Sequence, residues 1–449
     1  MVLAVALLAI PATPAYDPWA WLVWGREVAH LQLDTLGGPA WKPLPVAITT
    51  LLSPFGEGAP TLWLVISRAA GLLTLVAVYR LATHFAGRVA GLVAAALLLL
   101  TPDADPRFAR LILEGHSAPV TAALALWAVD RHLAGRPTAA LLLGTALALD
   151  RPEAWPFLAV YAVWLWRRDP GQRALIAIAL PLVPLLWFGG DWWGSGSPWH
   201  GAGGAQVVAN ESNRTLDALH RVAEVVVVPA WFAAAFAVVD ARRRHENTLI
   251  VLAGGALAWC AIVVAMTTVF GYAALSRFFL PAAALLCVLA GIGVVRVWAA
   301  IPAGAARAWI IAALVIASIA LSAPRVLGSG AVIAEVEARE RIVSGLDVAV
   351  ERAGGRRAVL SCGRVVVDGG GVPQLALAWK LDVALADVHR RIDGHDRVVL
   401  FARTERRANN LLARTDSPTE AVALARSADW QVFGRGCPER TAPGQLRNG

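Results

Sequence analysis

Two stretches near the start of the chain, YDPWAWLVWGREVAH at residues 16–30 and GGPAWKPLP at residues 37–45, place charged side chains directly after a hydrophobic segment. These charged residues include an aspartate, Asp17, and a lysine, Lys42. The lysine is unusual, because only two of the 40 lysines and arginines in the chain are lysines. Lysine and arginine are not interchangeable where a compact point charge is needed. The sequence therefore predicts a task for Lys42 that arginine would perform less well.

The composition of the whole chain is that of a protein surrounded by lipid. The chain has 449 residues, of which 57% are hydrophobic, and its mean hydropathy is +0.58. Soluble domains rarely reach such values. The net charge of +8 would suit nucleic-acid binding, but the arginines form short clusters between apolar runs, as in the cytoplasmic loops of a multi-pass membrane protein. We therefore exclude nucleic acid as a partner.

Apolar runs that approach the ~20 residues of a transmembrane helix recur along most of the chain. The predicted fold class is an all-α membrane domain of about eleven helices at 1–325, followed by a small α/β domain at 326–449. An alternative interpretation of the first run is a signal peptide, but its prolines favour a helix that enters a loop. The predicted helices are 1–15, 60–81, 85–101, 117–134, 138–150, 153–167, 173–190, 222–240, 247–270, 276–297 and 307–324.

The arginine clusters predict how the membrane domain is oriented. If the N-terminus is cytoplasmic, almost every cluster lies inside, as the positive-inside rule requires. The outer side then receives the loops at 16–59, 102–116 and 191–221 and the tail after residue 325. These loops carry the acidic residues, Trp, Gly and His. The chemistry is therefore expected on the outer face of the plasma membrane.

The tail has its own pattern. RAVLSCGRVVVD at 357–368 and DRVVLFAR at 396–403 contain short β-branched runs that predict buried strands. The segments 332–353 and 419–430 have the periodicity of amphipathic helices.

Four cysteines are divided between the two predicted domains. Cys260 and Cys287 lie inside apolar runs and are expected to be inert, whereas Cys362 and Cys437 lie in the tail. In an oxidising space outside the cell these two would form a disulfide. The alternative is a pair of free thiols in a reduced domain.

Asp17 and Lys42 each have a structural and a functional interpretation. Asp17 is either an interfacial aspartate beside an aromatic belt or a general base at a membrane-surface cavity. Lys42 stands in a proline-stiffened loop. It either snorkels to the interface or binds a phosphate through its three donors.

Two further motifs contain charges close to the membrane. LSRFFLP at 275–281 places Arg277 at the outer end of a helix, where it needs an anionic partner, either a lipid phosphate or a structural acid. LDRPEAW at 149–155 places Arg151 and Glu153 between two apolar runs, where they either contribute to function or pair with each other.

The second and third outer loops add weaker candidates. Asp103 and Asp105 have a spacing that suits a divalent metal, although Asp-x-Asp alone is a weak signal. Glu114 and His116 could shape a pocket or cap a polar loop. In the glycine-rich third loop, Trp199 and His200 could stack on a carbohydrate or a polyprenyl chain, or belong to an interfacial belt.

In this order, the motifs resemble the GT-C superfamily of polytopic glycosyltransferases, which use polyprenyl-phosphate sugars. In its aminoarabinose-transferase, protein-mannosyltransferase and actinobacterial arabinofuranosyltransferase branches, an acidic motif after helix one precedes an Arg-Glu and a Lys-Pro-Pro-Leu-like element. The corresponding elements here are YD at 16–17, RE at 26–27 and KPLP at 42–45. LSRFFLP and LDRPEAW resemble two later elements of the superfamily. Pro18 replaces a second acid, which argues against a metal or a carboxylate pair at this position.

The resemblance implies roles for the candidates. Asp17 would be the base that activates an acceptor hydroxyl, and Lys42 and Arg277 would bind the phosphate of the donor. No cofactor would be required, although a divalent metal is possible. The expected substrate cavity comprises Tyr16, Arg26, Glu27, Trp41, Glu114, His116, Arg151, Glu153, Trp199 and His200.

We therefore expect an inverting membrane glycosyltransferase that transfers a sugar from a polyprenyl-phosphate donor to a glycan or glycolipid acceptor outside the cell. The sequence has no nucleotide-binding or nucleophile-elbow motif, which fits a lipid-linked donor. One rival is a transporter or flippase of a lipid-linked sugar, which would show internal repeats and charges along a transmembrane path. A second rival, a membrane scaffold that presents the tail, leaves the Lys42 loop unexplained.

Overall fold

The computed structural model describes residues 2–100, 108–207, 214–302, 304, 309, 328–392, 397–412 and 421–437. Helices dominate up to residue 300, and a small sheet domain follows. The helices of the first part are α1 (Val2–Ala6), α2 (Tyr16–Ala29), α3 (Pro43–Leu52), α4 (Ala59–Leu99), α5 (Phe108–Leu113), α6 (Ala118–Leu133), α7 (Pro137–Asp150), α8 (Trp155–Arg168), α9 (Arg173–Ser195), α10 (His200–Val207), α11 (Arg214–Ala223), α12 (Val228–Arg243), α13 (Asn247–Phe270) and α14 (Leu280–Ala300).

Helix α14 lies at the centre of the bundle and packs against α4, α12 and α13. Two glycines allow this close approach. A Cβ atom at Gly293 would lie 1.8 Å from the carbonyl oxygen of Ala233 in α12, and one at Gly291 would lie 2.4 Å from the carbonyl oxygen of Ala90 in α4. The backbones therefore touch where larger side chains would separate them.

The number of membrane spans predicted from the sequence is not confirmed. Among the described residues, four helices are long and apolar enough to cross a membrane, or five if the pair α11 and α12, bent by 74°, forms one span. Several predicted spans do form helices, but α6, α7, α8 and α12 have only 14 to 16 residues. The qualifying segments are Pro43–Leu99, Pro170–Ser195, Asn247–Phe270 and Ser276–Ala300.

Three further segments contribute to the difference. The predicted helix 1–15 is helical only from Val2 to Ala9, in a short α-helix and a 3-10 turn, because Pro11 and Pro14 follow. The predicted helices 60–81 and 85–101 form α4, which is interrupted by non-helical backbone at Ala86 and Gly87. The predicted helix 307–324 lies outside the described residues except at position 309. The predicted outer loop 16–59 contains α2 and α3.

The tail contains a five-stranded mixed sheet with the order β2-β1-β3-β5-β4. β1 is parallel to β2 and β3, and β5 is antiparallel to β3 and β4. Of the predicted strand region 357–368 only Arg364–Val367 is a strand, since Gly355–Cys362 is helical, whereas the region 396–403 contains the strand Val398–Ala402; the α/β class of the tail is confirmed. The strands are β1 (Arg364–Val367), β2 (Val388–His389), β3 (Val398–Ala402), β4 (Val422–Arg426) and β5 (Gln431–Arg435). The helices are α15 (Ser329–Arg352), α16 (Gly355–Cys362), α17 (Val372–Leu381) and α18 (Glu405–Leu412).

The prediction of an amphipathic helix at 419–430 is wrong. Residues Val422–Arg426 form the edge strand β4, which pairs with β5 through a bulge between Ala423 and Ala425. Alanine, leucine and arginine favour helices, but pairing with an existing strand outweighs that weak propensity.

The predicted disulfide is confirmed. Cys362, the last residue of α16, is bonded to Cys437, two residues after β5. The bond closes a separation of 75 residues and links the segment before β1 to the segment after β5. Cys260 and Cys287 are free and buried, as predicted.

Candidate active site

A cavity of about 490 Å³ opens between α2, the segment before α3, the C-terminal end of α9 and the turn before α14. Aromatic rings form much of its wall. Its described charged lining residues are Asp17, Lys42, Arg151, Glu153, Asp191 and Arg277. Its described aromatic lining residues are Tyr16, Trp41, Trp155, Trp187, Phe188, Trp199, Tyr272 and Phe278.

Asp17 lies in the first turn of α2, where the helix dipole favours a negative charge. Its Oδ2 atom accepts a hydrogen bond of 3.1 Å from Nη2 of Arg277. Burial raises the pKa of the Asp17 carboxyl, but the positive charges of Arg277 and Lys42 outweigh this effect, so the net pKa lies below its usual value. The carboxylate is therefore ionised and can accept a proton, but it is a weak base while Arg277 is bound to it.

Lys42 precedes α3, whose first residue is Pro43. The proline holds Lys42 in an extended backbone conformation, and the residue lines the cavity. Its Nζ atom donates to Oγ of Ser117 at 3.1 Å and lies 5.3 Å from the centre of the Trp21 ring. Among the described residues, no carboxylate lies within 4 Å of the ammonium group. Burial lowers the pKa of Lys42 to about 8.

Arg151 and Glu153 are both buried and lie 3.5 Å apart between Nη2 and Oε1. The Arg151 guanidinium also stacks on the ring of Phe278, at 3.8 Å from its centre. The neighbouring Asp150 accepts a hydrogen bond from Thr121. The mutual pairing considered for Arg151 and Glu153 is therefore present, and both residues also line the cavity.

Glu114 and His116 are not among the lining residues of the cavity, but their segment supports it. Oε2 of Glu114 lies 3.6 Å from Nε2 of His116 and accepts a 2.9 Å hydrogen bond from Arg339 of the tail. The Glu114 carbonyl oxygen accepts from the backbone N–H of Ala15, two residues before Asp17. Ser117, next to His116, holds Lys42. This segment thus links the tail to both predicted functional residues.

Arg26 and Glu27 were expected in the substrate cavity, but they are not among its described lining residues. Arg26 faces the tail, where it donates to the carbonyl oxygens of Trp379 and Val383 at 3.1 and 3.0 Å and pairs with Asp382 at 2.9 Å. Glu27 is buried and accepts from the backbone N–H of Asp34, and burial raises its pKa to about 7. Arg26 follows Asp17 by about two and a half helical turns and therefore lies on the opposite face of α2, and both positions are about 14–15 Å further along the helix axis.

The third outer loop contributes one predicted residue and one that the sequence reasoning missed. Trp199 lines the cavity and packs on Phe188 at 4.7 Å between ring centres, whereas His200 is not a described lining residue. Asp191, the first residue of the predicted loop 191–221, was not a candidate, and the structure places it near the C-terminal end of the apolar helix α9. A charge at that position is itself the signal that could have identified it.

The described residues include no group of three or more His, Cys, Asp or Glu side chains that could hold a metal ion. The weak metal candidates Asp103 and Asp105 lie outside the described part of the chain.

The helical bundle and the terminal sheet domain share the fold of solved structures from the GT-C superfamily, so the predicted resemblance is confirmed at the level of fold. In particular, the chain is similar to two crystal structures of ArnT from Cupriavidus metallidurans. The apo structure has a TM-score of 0.58 at 15% sequence identity. The structure bound to undecaprenyl phosphate has a TM-score of 0.56 at 14% identity. Each comparison covers 96% of both chains. No protein-family model and no curated protein matches the chain.

Proposed function

We propose that the chain is an integral membrane glycosyltransferase that moves a sugar from a polyprenyl-phosphate donor to a hydroxyl group of an extracytoplasmic glycan or glycolipid. One observation carries this proposal: Asp17, Lys42 and Arg277 line one cavity. The fold around it is similar to that of ArnT, which was crystallised with undecaprenyl phosphate.

Lys42 and Arg277 would bind the donor phosphate. A phosphate that leaves with the polyprenyl chain takes a negative charge from the broken glycosidic bond, and preorganised cations stabilise that charge in the transition state. The Lys42 ammonium group has no carboxylate within 4 Å in the described part of the chain, so an anion would complete its surroundings. These two cations would do the work that a metal ion does in other transferases, and adding EDTA to the transfer assay tests whether a metal is also needed.

Asp17 would be the base. The acceptor hydroxyl would attack the anomeric carbon from the face opposite the phosphate, with inversion, while its proton passes to Asp17. A donor phosphate would compete with Asp17 for Arg277. Sharing the guanidinium would raise the basicity of the carboxylate when the donor is in place. This coupling would keep the base weak in the empty site.

The arginine clusters support an orientation in which the cavity and the tail lie on the outer side of the plasma membrane. The acceptor would then be a component of the cell envelope. Arabinofuranosyl and mannosyl donors are the two first candidates to assay.

The test uses the purified full-length protein in liposomes with radiolabelled decaprenyl-phosphoryl arabinofuranose and decaprenyl-phosphoryl mannose, together with an extract of envelope glycans as acceptor. Transfer of label to the extract, lost when the donor is replaced by a nucleotide sugar, supports the proposal. Movement of the donor across the bilayer without any transfer would favour a flippase.

A further inference from the structure

Asp191 is a carboxylate of the cavity that the proposed chemistry does not use. It lies one turn before the end of α9, is 6% exposed and lines the cavity. Its Oδ2 atom accepts from the backbone N–H of Gly201 at 3.0 Å. Its Oδ1 atom has no hydrogen-bond partner among the described residues. An unsatisfied buried acceptor is costly, so this atom indicates a donor that a ligand supplies.

The surroundings hold the Asp191 carboxylate against the segment that carries Lys42. Nε1 of Trp41 donates to the carbonyl oxygen of Leu186 in α9 at 3.1 Å, and a Cβ atom at Gly190 would lie 2.3 Å from the Trp41 ring. A Cβ atom at Gly201 would lie 3.1 Å from the backbone nitrogen of Trp41 and 2.9 Å from Oδ2 of Asp191. Helix α9 and the Trp41–Lys42 segment therefore form one packed wall with a cation and a carboxylate.

The charges of the cavity divide into paired and unpaired groups. Asp17 pairs with Arg277, and Arg151 pairs with Glu153. Within the described ranges, no lysine, arginine or histidine nitrogen forms an ion pair with Asp191 within 4 Å. A negatively charged group repels a phosphate and accepts hydrogen bonds from hydroxyls. Asp191 therefore suits the sugar part of a phosphate-linked sugar.

Aromatic rings complete the environment that a sugar needs. Trp41 and Trp199 line the cavity together with Asp191. The flat faces of aromatic rings stack against sugar C–H groups, while a buried carboxylate provides the directional contact that selects among hydroxyl patterns. Beside Lys42 the Asp191 carboxylate has no cationic partner within 4 Å among the described residues, whereas Glu153 already forms an ion pair with Arg151 at 3.5 Å.

We propose that Asp191 determines donor specificity by binding the transferred sugar: its Oδ1 atom accepts a hydrogen bond from a sugar hydroxyl while the phosphate is bound by Lys42. This inference rests on the proposed function and deepens it. It predicts that Asp191 strengthens the binding of a sugar-bearing lipid and does not strengthen the binding of the bare lipid phosphate.

The experiment compares two kinds of probe on the full-length protein in nanodiscs: decaprenyl phosphate, and the same lipid phosphate carrying arabinofuranose or mannose. Wild type should bind one of the two sugar-bearing lipids more tightly than decaprenyl phosphate. Asp191→Ala should reduce that preference about 10- to 100-fold, as expected for a lost hydrogen bond to a charged group, and should retain decaprenyl phosphate binding. Asp191→Asn keeps an acceptor oxygen and should lose less.

Decaprenyl phosphate binding also reports on folding, because a misfolded variant would lose both probes. If Asp191→Ala does not bind decaprenyl phosphate, Asp191→Asn is assayed with monodeoxy versions of the preferred sugar. One deoxy position should weaken binding to wild type and have a smaller effect on Asp191→Asn.

Two results would overturn the inference: equal binding of all probes by wild type, or a full sugar preference in Asp191→Ala. Neither result would contradict the binding of the donor phosphate by Lys42 and Arg277. A wild type that binds no lipid phosphate at all would overturn the inference together with the proposed function.

Discussion

The carboxylate of Asp17 lies 3.1 Å from the guanidinium of Arg277, although 260 residues separate them in the chain. Both side chains retain some access to the cavity, with 17% and 23% of their surfaces exposed. The ion pair joins the start of α2 to the turn that precedes α14. A ligand that binds Arg277 therefore changes the charge that surrounds the Asp17 carboxylate.

Asp17→Asn should reduce sugar transfer about 10²- to 10⁴-fold, the usual contribution of a general base, with donor binding retained. The amide is nearly isosteric but cannot take a proton from the acceptor. The measurement compares the rate of label transfer with the donor affinity, both determined on the same protein preparation. Asp217→Asn, at an exposed position on α11, is the matched control and should leave both unchanged. If Asp17→Asn transferred sugar at the wild-type rate, Asp17 would not be the general base.

Lys42→Ala should weaken donor affinity about tenfold or more, because a hydrogen bond between two charged groups is lost. Lys42→Arg should retain part of that affinity, since the charge stays but a guanidinium does not fit the contacts with Ser117 and Trp21 in the same way. Equilibrium binding of the donor measures both. The control is Lys380→Ala, which removes the other lysine of the chain, paired with Asp347 in the tail; it should bind the donor as wild type does.

Donor affinity should fall at alkaline pH. Burial lowers the pKa of Lys42 to about 8 in the empty site, so the ammonium form is present below pH 8 and is lost as the pH rises. If only this form binds the phosphodiester, affinity is constant below pH 7 and falls about tenfold per pH unit above pH 8.

The control for this pH profile is Lys42→Arg, whose guanidinium stays charged throughout the range. Its donor affinity, although lower, should not change between pH 7 and pH 10. A parallel decline in both proteins would assign the effect to another group, of which Glu27 is the first to examine, since burial raises its pKa to about 7.

Arg26→Ala should loosen the tail from the membrane domain. Arg26 donates to two backbone carbonyl oxygens of the tail and pairs with Asp382, so about 2–3 kcal/mol of docking energy should be lost. Hydrogen exchange in α17 should increase. Arg407→Ala removes an exposed ion pair within the tail and should cost less than about 1 kcal/mol. Unchanged exchange in α17 would show that the docking does not depend on Arg26.

The tail should be accessible from outside intact cells. Ala334→Cys places a thiol at an exposed position of α15, and Ala134→Cys places one in the turn between α6 and α7, on the predicted cytoplasmic side. A membrane-impermeant maleimide should label the first in intact cells and the second only after lysis. The reverse pattern would invert the orientation, and with it the assignment of an extracytoplasmic acceptor.

The sequence by itself determined the features that depend on local composition. Apolar runs predicted most of the helices between residues 59 and 300. A helix that crosses a bilayer needs about 20 mostly apolar residues, so such runs can be recognised by their length. The β-branched runs located β1 and β3. The short motifs identified Asp17, Lys42, Arg151, Glu153 and Arg277, all of which line the cavity, because charges next to apolar segments are rare enough to be noticed.

Only the tertiary structure decided how these residues meet. The pairing of Asp17 with Arg277, the docking of Arg26 on the tail and the position of Asp191 all depend on contacts between segments far apart in the chain. Residues Val422–Arg426 form the strand β4 because their backbone pairs with that of β5. Local propensities are worth tenths of a kcal/mol per residue, whereas long-range packing and pairing contribute several times more at a single site. Most of the charged residues that line the cavity could therefore be predicted from the sequence, whereas the tertiary structure determined which of them contact each other.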